Sequence, residues 1–459
     1  MNFASPSNAT MLRRYLQFLD DAGQLVRITK PVATRHELAA VSWKLKGTPV
    51  IFENVVGHSL PVVSNLCSDR AMLARMLGLS LDEFVEYFLR AIESPVASEI
   101  VSESSLYEVV IENDIHLTQV LPITLDYDRQ GAPGINSGVM VARDAQNGLL
   151  NTSFHVLEVI SQDEFSVHVV SQHFARIYAH YQRQGRPLPV ALALGVDPLT
   201  WMTCTLAISH PPSELDVAGA IRKHAIQLVQ CKTNDLAVLA DAEIVLEGEI
   251  LPTRREAIGP EPRPRGVYGP PTTGPVFKVK CIAHRKDALF HHLANSSADH
   301  LNLSAISKEV TLFPYLRERY PSVTRLSCVG NTCVVAIKRD GATRIRPMLE
   351  DILRYRTIDR GSFNKFAVVV DEDVDVYDRR DVEQALYTRA ISEAVVILKG
   401  IRANQGEPSA TDGMVEKIGI DATIPIGREN QFQRPYIPGS KDLDLASYLP
   451  GNMVCRLAY

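Results

Sequence analysis

Residues 149–181, LLNTSFHVLEVISQDEFSVHVVSQHFARIYAHY, carry the pattern from which the fold follows. Two β-rich apolar runs, 151–160 and 165–171, flank the polar stretch Ser161-Gln162-Asp163-Glu164, the signature of a β-hairpin. With the turn centred on Gln162 and Asp163, paired positions sum to about 325, so Asn151 faces residue 174 and lies beside His173. An amide oxygen and an imidazole side by side can each give a metal ion a lone pair. From spacing alone the ordinary reading prevails, since a His and an Asn near one another on a sheet are more often hydrogen-bonded structure than ligands. A carboxylate would complete a ligand set, and Glu243 in the run DAEIVLEG (241–248) is a candidate.

At 459 residues the chain is too long for one core and implies two or three domains. With 46% hydrophobic and 22% charged residues and a net charge of −5, it lacks the basic excess that nucleic-acid binding requires. Its 7 cysteines form no CxxC pair, Cys328 and Cys333 being the nearest two, which fits reduced thiols in a cytoplasm. The start, MNFASPSNATMLRRYLQF, has no apolar core of signal-peptide type. No run approaches the roughly 20 apolar residues that span a bilayer. A soluble, cytoplasmic protein is expected.

Three segments differ in character. Residues 1–115 alternate helix and strand signals: Leu12, Tyr15, Leu16 and Leu19 recur at helical spacing, and Thr34 with Glu37 and Ser80 with Glu83 suggest capping boxes. Residues 116–300 turn to short strands at 138–142, 151–160, 165–170, 190–194 and 243–246, with helices at 173–181 and 215–221. Many short strands between turns suggest a barrel or split barrel. Within this segment LPTRREAIGPEPRPRGVYGPPTTGP (251–275) is so rich in proline that a rigid surface loop is expected rather than helix or central strand. Residues 301–459 return to α/β. There Asp371, Asp373 and Asp375 fail as a calcium loop, because Val376 stands where glycine is needed and Val382 where a bidentate glutamate belongs. The tail from Gly427 reads as an extended arm ending in a short helix, suited to clasping a neighbouring subunit.

Several ordered stretches together resemble the UbiD family of prenylated-FMN-dependent decarboxylases. They are the hairpin, GVDPLTWMTCTLAISHPPSELDVAGAIR (195–222), CKTNDLAVLADAEIVLEGEI (231–250), LRRYLQFLDDAGQLVRI (12–28), FAVVVDEDVDVYDRRDVEQALYTR (366–389) and GIDAT (419–423). The resemblance implies a three-domain architecture of α/β layers and a split β-barrel. It implies reversible non-oxidative decarboxylation of an aromatic or α,β-unsaturated carboxylic acid. A manganese or iron(II) ion would join the flavin phosphate to Asn151, His173 and Glu243, a hard donor set suited to those metals. Flavin contacts would come from Thr152, Ser153, Phe154, His155, Gln172, Cys204, Thr205 and Leu206. A potassium ion would sit on the carbonyls of Thr152, Thr203 and Leu206 with an oxygen of Glu243. The implied partners are a flavin prenyltransferase as cofactor source and further copies of the chain, as a dimer or hexamer.

The family's Glu-Arg-Glu (or Glu-Arg-Asp) triad is not kept. Its arginine position is Val156, its acids fall on Ile258 and Arg263, and the lysine expected after Asp421-Ala422-Thr423 is replaced by Ile424-Pro425. Arginine stays protonated and cannot donate a proton, but its fork can clamp an anion. Arg254, Arg255, Arg263 and Arg265 thus form either a solvated basic loop or a clamp for a substrate with a second anionic group, such as a coenzyme A thioester. Substitute proton donors are Glu256, Glu261 and His155. The alternative to an enzyme with altered acid/base residues is a catalytically silent UbiD-like subunit of a multi-subunit (de)carboxylase.

Overall fold

The computed structural model describes residues 10–208, 212–263, 266–356, 364–403, 407–435, 437–439 and 448. One compact unit is formed by residues up to 16 with 26–310, a second by 17–25, 311–356 and residues from 364 onward. Among the described residues no helix is long and apolar enough to cross a membrane.

The larger unit is dominated by a nine-stranded sheet. Its strands, in chain order, are β1 (Val109–Ile111), β2 (Gly134–Ile135), β3 (Val139–Arg143), β4 (Leu150–Ser153), β5 (Val156–Ser161), β6 (Glu164–His168), β7 (Leu188–Leu194), β8 (Ile244–Ile258) and β9 (Thr272–His284). They are ordered β2-β5-β6-β9-β8-β7-β3-β4, with β1 beside β9. β7 is apolar nearly throughout because both its faces are covered, which removes the alternation of a half-exposed strand. β4 ends this order and β5 stands second from the other end, yet the two are joined by Phe154 and His155 alone. Two intervening residues bridge at most about 10 Å, so the sheet must curl until its ends meet. This is a split barrel, closed by a two-residue strap.

The hairpin therefore differs from the sequence expectation in one respect. Its turn lies where expected, with Phe165 facing Val159 and Ser166 facing Glu158. The first strand, however, breaks at Phe154, and Asn151 pairs with Ala142 of β3 instead of with the hairpin. The proline-rich stretch is also shorter than expected. β8 runs on to Ile258 and β9 begins at Thr272, with Pro252 tolerated at an irregularity in the ladder between Ile250 and Arg255. Three helices pack near the curl: α1 (Gln172–Arg183), α2 (Pro198–Thr203) and α3 (Glu214–Arg222).

A four-stranded sheet in the same unit pairs Val26–Ile28, Val50–Phe52, Val62–Ser64 and Phe290–His291, so the N-terminal layer is hydrogen-bonded to the segment that follows β9. The capping box at Ser80 and Glu83 forms. The one at Thr34 does not, since Glu37 accepts from the Ala33 N–H at 2.9 Å and His36 occupies the cap.

The smaller unit is a five-stranded sheet with Phe366–Asp371 at its centre. Its acidic turn is neutralised: Arg389 bridges Asp371 and Asp373, and Arg434 reaches Asp373 and Asp381. Residues 440–447 and 449–459, on which most of the expected tail helix falls, lie outside the described residues.

The barrel core turns on Phe165 of β6 and Phe277 of β9, cross-strand partners whose rings stack at 6.1 Å and are fully buried. Phe277→Ala is expected to cost about 3–5 kcal/mol. Both tryptophans, Trp43 and Trp201, lie in this unit, so urea denaturation followed by tryptophan fluorescence reports on it alone.

Candidate active site

The strap between the barrel ends gathers the polar chemistry. Asn151, on β4, is buried, and its Nδ2 lies 3.3 Å from Nδ1 of His173 in the first turn of α1. His173 Nε2 donates to Asp144 at 3.2 Å. That contact sets the tautomer and leaves the Nδ1 lone pair turned towards the asparagine. The Asn151 Oδ1 is buried with no hydrogen-bond partner. An orphaned amide oxygen costs roughly 1–3 kcal/mol, so this oxygen and the neighbouring imidazole are arranged for something bound.

Glu243 is not the carboxylate that joins them. It stands just before β8, three strands from β4 along the order β4-β3-β7-β8, about 14 Å of sheet. Its buried carboxylate is fully engaged elsewhere: Thr10 Oγ1 at 3.1 Å, Arg13 at 3.0 and 2.8 Å, and the Leu289 N–H at 3.2 Å. Gly195, at φ +68°, admits it, since a Cβ there would lie 2.5 Å from the Glu243 Cβ. The acid beside Asn151 is Glu214, at the start of α3. Its buried Oε2 accepts from the N–H of Thr152 at 3.3 Å and from the Thr152 hydroxyl at 3.4 Å. A capping box between Ser213 and Asp216 begins the helix at this point and so aims Glu214 into the curl. In the sequence, PPSELD marks an acid directly after a helix cap but not what that acid faces.

Of the expected flavin contacts, Thr152 and Cys204 meet. Burial pushes the Cys204 thiol up to about 12 against a hydrogen bond from Thr152, and the charge of Glu214 adds to the rise. Thr205 and Leu206 are buried next to it, while Gln172 is exposed. Phe154 packs edge-on against Trp201 of α2 at 5.3 Å, and Trp201 against His291 at 4.6 Å. Trp201 Nε1 and both ring nitrogens of His291 are buried without partners. His291 is held at about 3, chiefly by burial and then by the adjoining His292.

His155 does not suit the role of proton donor. Its Nδ1 accepts from the Val170 N–H at 3.2 Å and its Nε2 pairs with Ser153 Oγ at 2.9 Å, so both nitrogens serve to hold the strap. Glu256 is turned away as well, tied to Arg254 at 3.0 Å. Glu261 is different. It is buried, its Oε2 is hydrogen-bonded to Nδ1 of His168 at the end of β6, and Arg263 lies 4.0 Å from the same oxygen. Nearby Glu158 accepts from the Gly259 N–H at 2.8 Å while its Oε1 has no partner. Burial first, then the charge of Glu261, raises the Glu158 carboxyl above the usual range, against the Gly259 hydrogen bond and His168.

The four-arginine clamp is not assembled. Arg254 pairs with Glu164 and Glu256, Arg255 is exposed and donates to the Thr273 carbonyl at 2.6 Å, and Arg265 lies outside the described residues. Arg263 alone is buried in the site, and its Nε has no partner. His168 and Glu158 carry no motif. They alternate along a hairpin among apolar neighbours, and only the pairing of β5 with β6 sets them on one face.

Residues 16–92, 99–297 and 302–422 match, in turn, the N-terminal, Rift-related and C-terminal domains of 3-octaprenyl-4-hydroxybenzoate carboxy-lyase. An anhydromevalonate phosphate decarboxylase of Methanothermobacter thermautotrophicus is 30% identical over 91% of this chain and 98% of its own. The UbiD-class enzyme HmfF of Pelotomaculum thermopropionicum, solved with FMN, is 32% identical, with 95% of this chain and 100% of that one superposed at a TM-score of 0.89. An evolved dimeric form of the same enzyme, solved with prFMN, is 31% identical over 96% and 100% of the two chains, with a TM-score of 0.86.

His291 makes the fold sensitive to acid. An imidazole kept neutral in the fold but free to protonate when unfolded contributes stability above its unfolded value of 6.5. That contribution drains away as pH falls from there towards about 3. The thermal midpoint of the wild-type protein is expected to fall between pH 7 and 5, and to fall less steeply over that interval in His291→Asn.

Proposed function

The chain belongs to the UbiD family of carboxy-lyases, and from that membership we propose a prenylated-FMN-dependent, reversible non-oxidative decarboxylase of an aromatic or α,β-unsaturated acid. The observation that carries this reading is the buried, unpartnered Oδ1 of Asn151 beside the oriented Nδ1 of His173, with the Glu214 carboxylate on the next residue. One amide oxygen, one imidazole and one carboxylate suit manganese or iron(II), so these residues fit the metal that would tether a flavin phosphate. Glu214 takes the part first assigned to Glu243. With the carbonyls of Thr152, Thr203 and Leu206 it would also serve the potassium ion.

When bound, the prenylated flavin would supply the electron sink for breaking the bond between the substrate carbon and its carboxylate. The chain supplies the rest. Phe154 and Trp201 offer aromatic faces for a flat, conjugated acid. The unpartnered nitrogens of Trp201, His291 and Arg263 offer donors to its polar groups. As carbon dioxide leaves, the electron pair left on carbon needs a proton, and Glu261 is the buried acid held where it can give one. Burial of Trp201 and His291, with Phe154 half-buried over them, keeps bulk water from competing.

The cofactor would come from a flavin prenyltransferase, and the enzyme would work as a homo-oligomer. The silent-subunit alternative finds no support in the relatives described above, which are named as a decarboxylase and as a UbiD-class enzyme.

Glu214→Gln is expected to lose manganese, measured by elemental analysis of protein co-expressed with a flavin prenyltransferase, and to lose flavin absorbance with it. Glu243→Gln is expected to keep the metal but to melt lower, because it unpairs the buried end of the Arg13 ion pair, a loss of about 3–5 kcal/mol. Glu261→Gln is expected to keep the flavin and lose about 10²–10⁴-fold in kcat. Flavin-loaded wild-type protein that releases no carbon dioxide from any aromatic or α,β-unsaturated acid would overturn the proposed reaction.

A further inference from the structure

Glu261 is a carboxyl group taken out of water, and such a group needs a defined source of positive charge to adopt one position and one proton affinity. Val156, which opens β5, has no charge to give. Directly across the hairpin from Val156 stands His168. Cross-strand partners share a face and lie within about 5.5 Å. Glu158, two residues along β5, projects from that same face. The pleat therefore stacks an imidazole, an aliphatic side chain and a second carboxyl group under Glu261.

We propose that His168 is the positioning residue of the reaction, orienting and electrostatically balancing Glu261 in the place that Val156 leaves without charge. The inference rests on the decarboxylase reading above. Its basis is the contact between His168 Nδ1 and Glu261 Oε2, both groups buried, with Arg263 4.0 Å from the same oxygen as the second cation. Both contacts are made through Oε2, so Oε1 is the oxygen that carries the proton. As the bond to the carboxylate breaks and carbon dioxide departs, the electron pair stays on the substrate carbon. That carbon takes the proton from Glu261 Oε1, and the new Glu261 carboxylate is balanced by His168 and Arg263. Protonation of Glu261 from solvent restores the start, and no oxidant or reductant is required. Glu158, whose Oε1 lacks a partner, stands beside this exchange as a second carboxyl group of raised proton affinity.

The charged and titratable groups facing His168 are Glu261, Glu158 and, through Glu261, Arg263.

The test uses flavin-loaded full-length protein and the acid that the wild type turns over fastest in the panel. His168→Val is expected to lose at least about 10²-fold in kcat, with KM and flavin occupancy changed little. His168→Gln, which keeps a hydrogen bond without charge, is expected to fall between the two. Val156→Arg combined with His168→Val returns a cation to the same face from the opposite strand. It is expected to recover kcat to within about tenfold of wild type. A purely structural histidine would not be rescued from the other strand. Full kcat in His168→Val, or no recovery in the double variant when its flavin occupancy is normal, would overturn the inference and leave the decarboxylase reading standing. An inert wild type would overturn that reading and this inference with it.

Discussion

The strap of Phe154 and His155 is the constraint on which the larger unit depends. It is the whole connection between β4 and β5, and β4 ends an eight-strand path on which β5 stands second from the other end. A flat sheet would hold these two strands about 29 Å apart at roughly 4.8 Å per strand, and two residues cannot bridge that distance. The sheet must therefore curl, and its almost wholly buried strands β3 and β7 give it an apolar interior to curl around. Everything polar in the candidate site lies on or beside the strap. Asn151 is three residues before Phe154, His155 locks the corner through Ser153 and Val170, and His168 faces the first residue after it.

Buried charges are handled in two distinct ways around this curl. Glu243 and Glu247 are saturated. The first is held by Arg13, Thr10 and a backbone N–H, the second by Tyr107, Thr233 and the N–H groups of Lys232 and Thr233. Such carboxylates fasten segments distant in sequence, and little capacity is left to them for chemistry. Glu158 and Asn151 are only partly satisfied. Incomplete satisfaction costs stability, and a protein keeps it where a ligand or a proton completes the set. That contrast, more than burial itself, separates the fastening acids from the functional ones.

Much of the fold was legible before the structure. The hairpin turn at Gln162 and Asp163 followed from alternating apolar residues around a polar tetrad. The helix at 215–221 and the central strand of the C-terminal layer followed from periodicity and β-branched runs. The meeting of Asn151 and His173 was also expected, although for the wrong geometric reason. The two belong to β4 and to helix α1, not to facing strands of one hairpin, and they meet because the strap brings the barrel ends together. The break at Phe154 had no local signal, since its neighbours are as β-prone as any strand interior.

The choice between Glu243 and Glu214 marks the boundary between the two kinds of information. Both sit in stretches that resemble a known family, both are buried, and nothing in either local pattern says which one faces the asparagine. The sequence by itself determined the element types, the family and the residue chemistry available, because periodicity and donor type are local properties. That Glu214 meets Thr152 beside Asn151, and that His168 meets Glu261, were decided only by the tertiary structure. Strand order and curl, not spacing along the chain, set which side chains share a face.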